Sequence, residues 1–151
     1  PEGDEEEVIF NMVNTLLLRI HQSGLLTVVS PERRTLVKEA IALYKGIRQD
    51  IPHSIPFWPL GVPAFEDQWL SLALHCNRTT YLAVWRLESA SASHVLPIKY
   101  LKGKEVQCDC IYPSRHSCQW QWQSKIGALS VCLPRQNSAR IFRIIEEPVL
   151  T

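Results

Sequence analysis

Trp69-Leu70-Ser71-Leu72-Ala73-Leu74-His75-Cys76, then Asn77-Arg78-Thr79-Thr80, then Tyr81-Leu82-Ala83-Val84-Trp85-Arg86-Leu87-Glu88 is the stretch that decides the fold. Two eight-residue runs rich in aromatic, aliphatic and β-branched side chains flank a short polar segment. That pattern predicts two antiparallel strands, 69–76 and 81–88, joined by a turn at 77–80. Downstream the rhythm continues. His94–Leu101 follows a Ser/Ala loop, and Lys102-Gly103-Lys104 turns into Val106–Tyr112. Trp120 and Trp122 stand two apart in another run, and Gly127–Leu133 and Ala139–Ile145 complete the set. Seven short runs at this spacing predict an antiparallel β-sandwich.

Upstream of residue 50 the period changes from two to about 3.6. Asp4 reads as an N-cap with Glu7 as its capping-box partner, and Val8, Ile9, Met12, Val13, Leu16, Leu17 and Ile20 recur at helical spacing. By periodicity this helix runs to about His21, with Gly24 ending it. A second helix starts at Ser30-Pro31, a cap followed by proline in the first turn, and Pro52 stops it. Between helices and strands, Ile51–Val62 and Pro63 hold four prolines. Proline has no N–H to donate, so this segment cannot be a central strand. It reads as a stiff connection carrying buried aromatics. Two helices with no strands of their own have little to bury their broad apolar faces, so the first half reads as part of something cut through its middle. An intact mixed domain remains the other reading, if the helices pack on the sheet.

The chain has 151 residues, 46% of them hydrophobic and 21% charged, with 16 basic against 15 acidic side chains. This is the balance of a soluble globular domain, with no basic stripe for a nucleic-acid partner. No apolar run reaches the roughly 20 residues of a membrane helix. The chain opens on Pro1-Glu2-Gly3-Asp4 rather than on a leader sequence, which suits a fragment of a longer protein.

Several segments, in order, resemble glycoside hydrolase family 36. They are Gly3-Asp4-Glu5-Glu6, Val13-Asn14, Arg19–Leu26, Ser30–Ala40, Tyr44-Lys45 and Ile47-Arg48. Ile55-Pro56-Phe57-Trp58-Pro59-Leu60-Gly61 is similar to the passage into the C-terminal β-domain in members of bacterial type. Thr80–Arg86 and Ser138–Phe142 are similar to strands of that domain. The resemblance implies an α+β fragment: the last elements of a (β/α)8 barrel followed by a C-terminal antiparallel β-sandwich domain. Residues 1–50 would end the barrel, 51–66 form the Pro-rich connection and 67–151 the β-domain. It also implies a shorter first helix ending near Leu16, with Leu18–Ser23 as the barrel's eighth strand. That places His21, Gln22 and Ser23 as candidates for the substrate rim, since barrel sites form at the C-terminal ends of strands. The alternative for these three is helix-end residues satisfying backbone groups.

Retaining glycosidases use two carboxylates about 5 Å apart. In the family these lie on earlier barrel strands, upstream of Pro1, so no catalytic residue is expected here. Asp4–Glu7 reads as a solvated helix start. Glu66 and Asp67 fall in a turn, Asp109 lies between two cysteines, and Glu146 and Glu147 lie near the exposed end. The expected role is therefore structural, within a parent enzyme acting on α-galactosides. Its partners would be the rest of that enzyme and, through it, a carbohydrate. A homo-oligomer stays open, and no cofactor is implied.

Two other readings have residues behind them. Trp58, Trp69, Trp85, Trp120 and Trp122 would serve a non-catalytic carbohydrate-binding β-sandwich module if they are exposed, and core packing if they are buried. Cys108, Cys110, His116 and Cys118 are four soft ligands within eleven residues. Ligands two apart on a strand share a face, however, and the usual knuckle spacing is missing, which favours buried or bridged cysteines over zinc.

Overall fold

The computed structural model describes residues 3–21, 26–116 and 118–148. Its elements are α1 (Glu5–Leu16), α2 (Pro31–Ile47), β1 (Ile55–Phe57), β2 (Trp69–Cys76), β3 (Thr79–Arg86), β4 (Ser93–Pro97), β5 (Val106–Tyr112), β6 (Gln119–Gln123), β7 (Ala128–Cys132) and β8 (Ser138–Glu146). The fold is α+β with two antiparallel sheets: a five-stranded one ordered β1-β2-β3-β8-β5 and a three-stranded one ordered β4-β7-β6. Among the described residues no helix is long and apolar enough to cross a membrane.

Side-chain alternation assigns each face of the larger sheet its own core. Ala73, Leu82, Val84, Phe142 and Ile144 face the smaller sheet, where they meet Leu96, Leu129, Val131 and Leu133. Leu74, Tyr81, Ala83, Ala139 and Ile141 face the other way, toward Ile9, Met12, Val13, Leu16, Leu36, Val37 and Ala40 of the helices. The layers are thus helices, sheet, sheet. The apolar helix faces are covered by β-strands of this same chain, as in the mixed-domain reading. A register shift between Cys110 and Tyr112 lets Ile111 and Tyr112 both join the helix-side core. There the Tyr112 hydroxyl donates to the Leu36 carbonyl at 3.3 Å.

The seven expected strands are present, with three differences. The turn after β2 is only Asn77-Arg78, because Asn77 adopts the left-handed conformation (φ 56°) and Thr79 already pairs with Cys76. The run from His94 is a strand only to Pro97; Lys99–Leu101 is a single 3₁₀ turn. The proline-rich connection contributes β1, which pairs on one side only, with Pro56 opposite Leu74. This agrees with proline's exclusion from central positions.

Helix α1 ends at Leu16, short of the His21 that periodicity predicts. The Thr15 hydroxyl bonds back to the Met12 carbonyl at 3.1 Å, and Leu18 N bonds to Thr15 O, tightening the last turn. Leu17 is buried while Leu18 is 59% exposed, so the apolar stripe stops there too. Leu18–His21 form no strand, and Gly24 lies outside the described residues. Both helix starts follow the sequence reading. Asp4 accepts from Glu7 N at 3.0 Å and Ser30 from Arg33 N at 3.4 Å.

Gly127 ends the β6–β7 turn with φ 65°, and a Cβ there would meet Lys102 backbone atoms at 2.7 Å. Gly103 also has positive φ, but nothing lies within 4 Å. Gly127→Ala is therefore expected to cost about 1–3 kcal/mol, and more than Gly103→Ala. Urea unfolding of the two variants checks this ordering.

Candidate functional site

Carboxylates can act as acids, bases or nucleophiles, and the partners each already has decide its role. Three consecutive ones at the start of α1 each meet a base. Asp4 pairs with Arg135, Glu5 Oε2 with His116 Nε2 at 2.7 Å, and Glu6 with Arg140 in a two-pronged bond of 2.6 and 2.8 Å. The hydrogen bond from Arg135, then that from Glu7 N, hold the Asp4 carboxyl below the usual aspartate range. Its contribution to stability is present at neutral pH and fades as pH falls through that lowered value. Asp67 accepts from Ala64 N at 2.8 Å in a turn, Asp109 from Gln107 Nε2 at 3.1 Å, and Glu146 pairs with Lys104 at 2.7 Å. Asp50, at the end of α2, accepts from the Tyr81 hydroxyl at 2.6 Å. Burial, then this bond, raise the Tyr81 pKa. These carboxylates serve a helix start, a turn, contacts between layers and contacts within the larger sheet.

Of the rim candidates, His21 is exposed. Gln22 and Ser23 lie outside the described residues.

Cys108, Cys110 and Cys118 belong to the inter-sheet core, and each is a free thiol. Burial pushes the Cys108 thiol up to about 12. A hydrogen bond from Cys118 lowers Cys110 and raises Cys118. His116 is engaged by Glu5. Among the described residues no three His, Cys, Asp or Glu side chains are grouped to hold a metal ion.

The tryptophans divide. Trp69 is buried and stacks on His94, with ring centroids 5.4 Å apart. Trp120 and Trp122 lie on β6 and donate their indole N–H groups to the carbonyls of Cys108 (3.3 Å) and Lys104 (3.1 Å), bridging from the smaller sheet to β5 and the residues just before it. Trp120 keeps 36% exposure but also packs edge-on against Phe142. Trp58 and Trp85 line one cleft of about 350 Å³ where α1 leaves the helix-side face of β2 and β3 uncovered. Trp58 is 42% exposed, not buried as expected of the connection's aromatics, because α1 stops short of covering this part of the sheet. It opens a turn built on Pro59, closed by Gly61 N to Trp58 O at 3.0 Å, and Leu60 N ties that turn to Ser71 Oγ at 3.1 Å. Trp85 Nε1 donates to Asn14 Oδ1 at 2.8 Å, which fixes its ring. Phe10 and Asn14 supply the helix side of the cleft, and Leu70 and Leu72 its floor. The sequence reading named both tryptophans. It named Asn14 only within a family-like segment and foresaw neither its bond to Trp85 nor the Glu6–Arg140 pair, contacts that span 71 and 134 residues.

No protein-family model matches the chain, and no curated protein matches it. Among solved structures it is similar to the galactosidase domain of the alpha-galactosidase–sucrose kinase AgaSK, at a TM-score of 0.57 and 18% sequence identity. The match covers 80% of this chain and 17% of that one, so this chain spans about a sixth of its neighbour's length. At this identity the likeness is one of fold.

Proposed function

We propose that this chain is the C-terminal portion of an α-galactosidase-like glycoside hydrolase of family 36. In it, residues 1–50 complete a (β/α)8 barrel, 51–66 connect, and 67–151 buttress the barrel as a β-domain. The observation that carries this reading is the fold likeness to a galactosidase domain over most of this chain but a small share of that one. The carboxylates support a structural role, since those at the helix start are taken up by Arg135, His116 and Arg140. The nucleophile and acid/base would come from the preceding part of the parent. His21, Gln22 and Ser23 would stand at the substrate rim of the assembled barrel.

Residues 1–151 alone are expected to give no hydrolysis of a nitrophenyl α-galactoside above background. Turnover that co-purifies with the chain through successive columns would overturn the reading.

The exposure of Trp58 favours a second reading, a non-catalytic carbohydrate-binding module. The two differ in a simple way: the module binds sugar as an isolated chain, whereas the buttress need not.

A further inference from the structure

We propose that the cleft between α1, the Trp58–Pro63 segment and β2–β3 is a binding subsite for one neutral pyranose ring. This rests on the carbohydrate-binding reading and gives it an address.

Five observations favour a sugar over other occupants. Two indoles line the cleft, and the axial C–H groups of a pyranose pack well on such π faces. The Trp85 ring is held by Asn14 before any ligand arrives, and the backbone that carries Trp58 is set by a turn tethered to Ser71, which limits part of the ordering cost of binding. None of the lining residues carries a charge, so an anionic or cationic ligand would find no counter-ion. Asn14, exposed at the rim, spends its Oδ1 on Trp85, while its Nδ2 has no partner among the described residues and can donate to a hydroxyl. The volume, about 350 Å³, is at the lower end for small-molecule sites and suits one ring.

The test uses the 151-residue chain, ¹⁵N-labelled, titrated with methyl α-galactopyranoside and methyl α-glucopyranoside. The five indole N–H resonances, assigned by single substitutions, report the location. Saturable shifts at Trp58 and Trp85, without shifts at Trp69, Trp120 and Trp122, are expected. Trp58→Ala should weaken binding about tenfold and Trp58→Phe less, the fold being checked by circular dichroism. Binding that survives Trp58→Ala, or shifts confined to Trp120 and Trp122, would overturn the cleft but leave a sugar-binding module standing. Silence of all five signals at roughly 50 mM sugar, above the millimolar range of weak sites, would overturn both. A Trp58 signal that moves only with protein concentration would make a second copy of the chain the occupant, and also overturns the proposal.

Discussion

Glu6→Ala is expected to destabilise the chain by about 3–5 kcal/mol, because it strands a buried cation. The Arg140 side chain is 4% exposed and that of Glu6 13%, so solvent offers little screening. All the guanidinium bonds end inside the protein: two on Glu6, one on the His116 carbonyl at 2.8 Å and one on the Ala139 carbonyl at 2.8 Å. Burial alone pulls the Arg140 pKa down, but the bonds and charge of Glu6 outweigh it, and the net shift is upward. Removing Glu6 leaves the burial and deletes the compensation. Replacing both partners with apolar residues of similar size, Glu6→Leu with Arg140→Met, should restore most of the loss, since no charge is then left without a partner. Urea denaturation of the single and double variants measures this. A Glu6→Ala loss under about 1 kcal/mol would place the pair with surface ion pairs and defeat the argument.

Phe142→Ala should cost about as much, roughly 3–5 kcal/mol, by a different route. Phe142 lies on β8, fully buried, with Leu82 of β3 and Cys110 of β5 as its cross-strand neighbours. Its ring meets that of Trp120 edge-to-face at 5.7 Å. Truncation opens a cavity between two sheets whose hydrogen-bond ladders keep them from collapsing into it. It also leaves Trp120 without its packing partner, so tryptophan fluorescence should shift together with stability. Phe142→Leu keeps most of the volume and should cost under about 2 kcal/mol. Equal losses for the two variants would show that ring volume is not what holds the sheets together.

The sequence made the strands legible because period two, turn residues and proline act within a few positions. The same holds for the caps at Asp4 and Ser30. The end of α1 was not legible from periodicity, since Leu17 and Ile20 extend the helical pattern while Thr15 and the exposure of Leu18 end it. The resemblance to family 36 placed that end near Leu16, where it falls. The charged trio at residues 4–6 read as a solvated helix start. Its bases lie between 111 and 134 positions away, and no local pattern announces such a pairing. The candidate site follows the same logic. Tryptophan content suggested a sugar surface, but only strand order and helix placement decide that Trp58 and Trp85 share a cleft while Trp120 and Trp122 bridge two sheets.

Those two bridging indoles also bear on how the chain behaves in a crowd of its own copies. A sandwich whose outermost strands present bare amides and carbonyls can recruit further strands and grow into aggregates. On the β5–β6 side, carbonyls of Cys108 and Lys104 are already occupied by Trp120 and Trp122. On the opposite side, β1 is three residues long and carries Pro56, and β4 ends on Pro97. The margins at β1, β4 and β5 thus each carry a device that discourages one more strand. That arrangement favours a protein that stays dispersed at high concentration.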